Sequence, residues 1–116
     1  MTRHDPLVRV RHMLDHTKEA AAMARGRSRT DLDTDRQLNL SLVRLLEIVG
    51  EASARIPEDF RQRYQQVPWQ DIADLRNRLI HGYDNVNFDV LWAIIEKDLP
   101  PLIDQLEKII ASQKQT

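Results

Sequence analysis

RQLNLSLVRLLEIVGEASARI, residues 36–56, is the stretch on which the fold turns. With successive residues rotated by about 100°, Leu38, Leu42, Leu45, Val49, Ala52 and Ile56 fall within about 40° of one line. A second line of Leu40, Val43, Leu46 and Gly50 lies roughly opposite. A helix that is apolar on two sides is either central in its bundle or shared between its own core and another subunit. The pattern is read as an interface helix. Glycine in mid-helix costs about 1 kcal/mol relative to alanine, and a close helix crossing at Gly50 would offset that cost. The helix is expected to start near Thr34 or Asp35 and to stop before Pro57.

Upstream, Asp5-Pro6 pairs an N-cap residue with proline at the first helical position. Leu7, Val10, Leu14, Thr17, Ala21 and Ala24 then recur every three or four residues, and Gly26 ends the helix. Residues 27–35 lack periodicity and read as a loop. Downstream, residues 57–66 suggest a short helical turn with Phe60 and Tyr64 four apart. A third helix is carried by Trp69, Ile72, Leu75 and Leu79 and closed by Gly82. Asn87 caps a fourth, whose apolar positions run from Phe88 to Ile110 and keep their phase across Pro100 and Pro101. The prolines predict a kink rather than two unrelated helices. The expected fold is all-α, an antiparallel bundle of four main helices plus a short one, with residues 1–116 as one domain.

Composition narrows the function classes. Hydrophobic residues make up 41% and charged residues 30% of the 116, which fits a folded domain. Cysteine is absent, excluding disulfides and thiolate chemistry. No apolar run approaches the roughly 20 residues of a membrane span, and Met1 to Pro6 lacks the apolar segment of a signal peptide. A cytoplasmic protein is expected. The net charge of −1 argues against a generic nucleic-acid coat, yet residues 1–29 carry +4. His12 and His16, four apart, have a metal-binding spacing. They stand opposite the apolar face of their helix, without an obvious third ligand, and are read as solvated. No phosphate-binding glycine loop or acidic metal cluster is present, so metal-free chemistry is expected.

The chemistry-bearing stretch is RNRLIHGY, Arg76 to Tyr83. On a helix, Asn77 and His81 share a face, while Arg76 is rotated by about 140° from His81. Either the long arginine reaches around or a second copy of the motif supplies the complement. In the last helical turn the helix dipole would favour the His81 imidazolium. Tyr83 would lie beyond the helix end. Spacing alone leaves two readings open, a catalytic site and a cationic helix C-terminus.

LEIVGEAS (46–53), VPWQDIADLRNRLIHGY (67–83) and VLWAIIEKDLPPL (90–102) together resemble the HepT-like toxins of the HEPN superfamily, in order and spacing from about residue 35 to residue 102. The first helix fits only in kind. One departure is Asp74, where such sequences often have glycine before Leu75-Arg76; it is not part of the chemistry. The resemblance implies a metal-independent endoribonuclease without cofactor, working as a homodimer on tRNA or mRNA. It implies that His81 serves as general acid or base, Arg76 stabilises the phosphorane, and Asn77 orients the phosphate or His81. Glu51 either supports the site, by pairing with Arg76 or polarising His81, or is an exposed helix carboxylate. The implied partner is a minimal nucleotidyltransferase antitoxin that transfers AMP to Tyr83. The alternative is a non-catalytic HEPN module that scaffolds or regulates that nucleotidyltransferase.

Overall fold

Asp5 caps the first helix, as its sequence predicts: its carboxylate accepts from the Leu7 N–H at 3.0 Å, and Pro6 occupies the first turn. The computed structural model describes residues 5–80 and 85–114. Helix α1 spans Pro6–Ala24, after which Gly26 turns the chain with φ of 76°, a conformation costly for residues with a Cβ. The buried face of α1 is Val10, Met13, Leu14, Thr17, Ala20 and Ala24. That face is rotated by about 40° from the one expected, toward His12 and His16. The Thr17 hydroxyl can be buried because it donates to the Met13 carbonyl at 2.6 Å.

The stretch expected as a loop contains one more turn of helix, α2 (Asp31–Thr34). Its only buried residue is Leu32, too little apolar periodicity to show in the sequence. Two polar contacts hold it: the Asn39 amide donates to the Leu32 carbonyl at 2.9 Å, and Arg27 ties Asp31 to Asp35.

Helix α3 (Arg36–Ala54) begins where expected, with Asp35 accepting from the Leu38 N–H at 3.0 Å. It is the central helix, packing on α1 along one side and on α5 along the other. This corrects most of the interface reading. Leu46 and Gly50, from the second apolar line, are buried within the chain; Val43 is half-buried, and only Leu40 stands free, 51% exposed. A Cβ built at Gly50 would stand 3.0 Å from the Ile72 carbonyl oxygen, so the glycine allows α3 and α5 to meet backbone to backbone. Three residues on, the buried Ser53 hydroxyl donates to the Trp69 carbonyl at 2.7 Å.

Helix α4 (Glu58–Arg63) is the expected short helix. Phe60 packs its ring 4.8 Å from Tyr64 and edge-on to Trp69. The expected third helix is two short ones, α5 (Trp69–Ala73) and α6 (Leu75–Leu79), joined at Asp74. Asp74 has φ −91° and ψ 7°, outside the α region and in the sparsely allowed bridge. The position set aside as a departure from the family pattern is therefore where the helix is interrupted.

The fourth helix is continuous but uneven. Helix α7 (Phe88–Ala93) leads into a π turn at Ile94–Asp98 and then α8 (Leu99–Lys114). Neither Pro100 nor Pro101 has an N–H, and a proline ring clashes with the carbonyl four residues back. Widening the turn before them, with the Leu99 N–H reaching the Ile94 carbonyl, relieves that clash. One hydrophobic cluster joins α1, α3, α5, α6, α7 and α8. The fold is all-α, and no helix among the described residues is long and apolar enough to cross a membrane.

Candidate active site

Leu75 and Leu79 are the buried residues of α6, and between them the chain turns Arg76, Asn77 and Arg78 outward. The helix closes at Leu79, and Ile80 is extended, with φ −104° and ψ 119°. Ile80 forms an antiparallel bridge with Val86, and the Asn87 N–H donates to the Leu79 carbonyl at 2.8 Å. These contacts clamp the two ends of the segment that carries His81 and Tyr83, residues that lie outside the described ones. The expectation of a helix reaching Gly82 is thereby corrected. The shared face of Asn77 and His81 and the dipole argument for His81 fall on a residue outside the described ones. The physical reason is length: α6 is a single short turn started at Asp74, and pairing of Ile80 with Val86 of the same chain replaces further helix.

Arg76 is exposed, and its Nε donates to Glu47 at 3.3 Å. Glu47, on α3, is the more sheltered of the pair, with its side chain 20% exposed. Glu51 lies one turn further along and is exposed; Arg44 approaches it to 3.8 Å. The carboxylate that holds the motif arginine is thus Glu47 rather than Glu51. The sequence carried a signal for it, since Glu47 and Glu51 lie four apart within LEIVGEAS and share a helix face. Asn77 is exposed and has no hydrogen-bond partner among the described residues. Arg78 is neither a cap nor unpartnered: two of its nitrogens lie 3.3 Å from Asp98, joining α6 to the π turn.

The far side of the segment is braced by Arg29, which precedes α2. Arg29 donates to Asp89 at 2.7 Å and to Asp33 at 3.0 Å, and its guanidinium lies 5.8 Å from the centre of the Phe88 ring. The bonds to Asp89 and Asp33 raise its already high pKa. Beside it, Arg36, Leu40, Val43, Asn85, Val86 and Phe88 line a cleft of about 280 Å³. Val43 is one helical turn from Glu47, so this cleft adjoins the Arg76 pair along α3. Among the described residues no group of three or more His, Cys, Asp and Glu side chains could hold a metal ion.

A family model described as ribonuclease HepT-like matches residues 13–109. The chain belongs to the HepT-like family. It is 37% identical over 103 residues to a protein of Caldanaerobacter subterraneus subsp. tengcongensis named "Putative RNase TTE0752", covering 89% of this chain and 92% of that one. It is 39% identical over 79 residues to "Probable ribonuclease HepT" of Thermococcus cleftensis, covering 68% and 72%. A third relative, "Putative RNase MJ0127" of Methanocaldococcus jannaschii, is 41% identical over 76 residues, covering 66% and 63%. No solved structure matches significantly. For this HepT-like chain, the relatives' names support a function of the ribonuclease kind.

Proposed function

We propose that the chain is the toxin of a toxin–antitoxin pair, a metal-independent endoribonuclease that cleaves tRNA or mRNA. RNA carries its own nucleophile. One imidazole accepts the proton of the ribose 2′-OH as that oxygen attacks the adjacent phosphorus; a second donates a proton to the 5′-oxygen as the P–O5′ bond breaks. The products are a 2′,3′-cyclic phosphate and a 5′-hydroxyl. His81 from each of two subunits supplies the two imidazoles, and Arg76 stabilises the charge on the phosphorane. Asn77 orients the phosphate.

The observation that carries this reading is Arg76, the motif arginine, turned to solvent on a buried anchor and steadied by Glu47. A guanidinium so placed has donors left for a phosphate. The exposed Leu40 and half-buried Val43, on the cleft next to this pair, support a dimer contact at the same end of the molecule. A two-fold axis there brings two motifs together. A nucleotidyltransferase antitoxin silences the enzyme by placing AMP on Tyr83, where the added anion repels and blocks an RNA phosphate.

Expression of wild type, Arg76→Ala and His81→Ala in a bacterial host tests the reading. Wild type should arrest growth and leave cyclic-phosphate ends, and both variants should be harmless. Equal growth of all three, with intact RNA after incubation with purified wild type, would overturn it. Mass spectrometry after co-expression with the adjacent nucleotidyltransferase should find AMP on Tyr83. Full neutralisation with an unmodified Tyr83 would instead assign inhibition to binding.

A further inference from the structure

A second polar cleft, of about 170 Å³, lies between α1 and the C-terminal part of α3. Arg9, His12 and His16 line it from α1, and Glu51 and Arg55 from α3, over an apolar floor at Ile48. The rotation of the buried face of α1 brings the two histidines to the rim of the α1–α3 contact, where a sequence reading had left them facing water. His16 Nδ1 lies 2.6 Å from the His12 carbonyl. A carbonyl only accepts, so Nδ1 carries the hydrogen, and Nε2 has no hydrogen-bond partner among the described residues. Arg55 is exposed and has no side-chain partner among the described residues. Glu51, the one carboxylate of the cleft, is also approached by Arg44. Arg55 and two imidazoles thus line a cleft whose one carboxylate, Glu51, is approached by Arg44, an arrangement suited to an anion.

The cleft is aligned with the motif. Arg44, Ile48, Glu51 and Arg55 fall within about 30° of one line on α3. Glu47, which holds Arg76, lies on the flank of that line. From Glu47 to Arg55 is about 12 Å along the helix axis. We propose that the Arg9–His12–His16–Arg55 cleft is a phosphate-binding station for the RNA strand, a few nucleotides from the phosphate held at Arg76. It rests on the ribonuclease reading for its choice of ligand. Its contacts go to the sugar–phosphate backbone, so they position the strand without reading its sequence. Guanidinium forks match phosphate oxygens, and an imidazole N–H can donate to the same oxygens.

The test is binding of 2′-O-methyl RNA, in which the nucleophile is blocked, to the full chain by fluorescence polarisation. The variants are Arg55→Gln and His12→Gln, both at exposed positions, with thermal melts confirming the fold. On a dodecamer, Arg55→Gln should weaken binding by about five- to tenfold and reduce the slope of log affinity against log salt by roughly 0.7, one single-strand phosphate contact. His12→Gln should weaken it less. On a dinucleotide, too short to span from Arg76 to the cleft, neither variant should differ from wild type. Variants that bind the dodecamer as wild type does would overturn the station, as would an equal loss on both lengths. Wild type that binds the dodecamer with these variant effects, yet leaves unmodified RNA uncut, would refute the ribonuclease reading and leave the station standing.

Discussion

Replacing Gly50 with alanine sets two effects of similar size against each other, and the structure decides the sign. In a solvent-facing helix the change would stabilise by about 1 kcal/mol, the difference in helix propensity. Here the new Cβ arrives 3.0 Å from the Ile72 carbonyl oxygen and 3.6 Å from that of Ala73. Both are backbone atoms of α5, so no side chain can swing away. The helix as a whole must give by several tenths of an ångström. The Ser53–Trp69 hydrogen bond at 2.7 Å resists that movement. Overpacking of a close contact costs about 1–3 kcal/mol, which outweighs the propensity gain at most of that range. A net loss of about 1 kcal/mol is expected, lowering Tm by about 4 °C. Gly50→Val, with two further methyl groups and a β-branch, should lose more. Urea titration with an unchanged m-value measures both. A Gly50→Ala protein more stable than wild type would show that α3 and α5 are not in backbone contact, and the account of α3 as a buried central helix would fall with it.

Three further outcomes follow from the same geometry. Glu47→Gln should change stability by less than about 1 kcal/mol, since Arg76 is exposed, but lower cleavage by roughly ten- to a hundredfold through misplacement of the guanidinium. The Glu47→Gln, Arg76→Ala double variant should be no worse than Arg76→Ala alone, and additive losses would separate Glu47 from Arg76. Leu79→Ala removes a fully buried side chain from the anchor of α6 and should cost about 3 kcal/mol by chemical denaturation; a loss below about 1 kcal/mol would contradict its place in the core. The Asp31 and Asp35 carboxylates are held below the usual range, first by backbone N–H groups of Ser28 and Leu38 respectively and then by Arg27. Depressed carboxylate pKa values stabilise the fold above the unfolded value of about 3.9 and lose that contribution as pH falls through the folded values. Carboxyl NMR titration of Arg27→Gln should therefore show both values rising only part of the way. A return to the ordinary range would make the guanidinium the principal cause.

The parts of the fold legible in the sequence are those written as long apolar periodicity or as caps. Asp5-Pro6, Asp35 and Asn87 begin helices as their side chains predict, and Trp69, Ile72, Leu75 and Leu79 are buried together. Helix α2 escaped because one leucine and an asparagine seven residues away hold it. The break at Asp74 and the early close at Leu79 escaped because periodicity reports which side is apolar, not whether the backbone is unbroken. At the site, the motif made Arg76 conspicuous, while Glu51 stood open between a supporting role and an exposed carboxylate, and Glu47, which pairs with Arg76, was not singled out. Both carboxylates share a face of α3, and only the packing of α6 against α3 selects between them. The two-sided pattern of α3 was real, but Leu46 and Gly50 of its second side are buried within the same chain, Gly50 against α5.

The π turn ahead of Pro100 makes the last helix a counting device. A helix that carries one residue beyond the α repeat tolerates loss of that residue more readily than a return to α geometry at full length. Tightening the turn at Ile94–Asp98 with all its residues kept would rotate everything after it by up to about 100°. Leu102, Leu106 and Ile109, now in the core, would swing toward water, and Asp104 and Lys108 would swing toward the core. The widened turn, by absorbing one extra residue, sets the register of the two halves of the helix on one core.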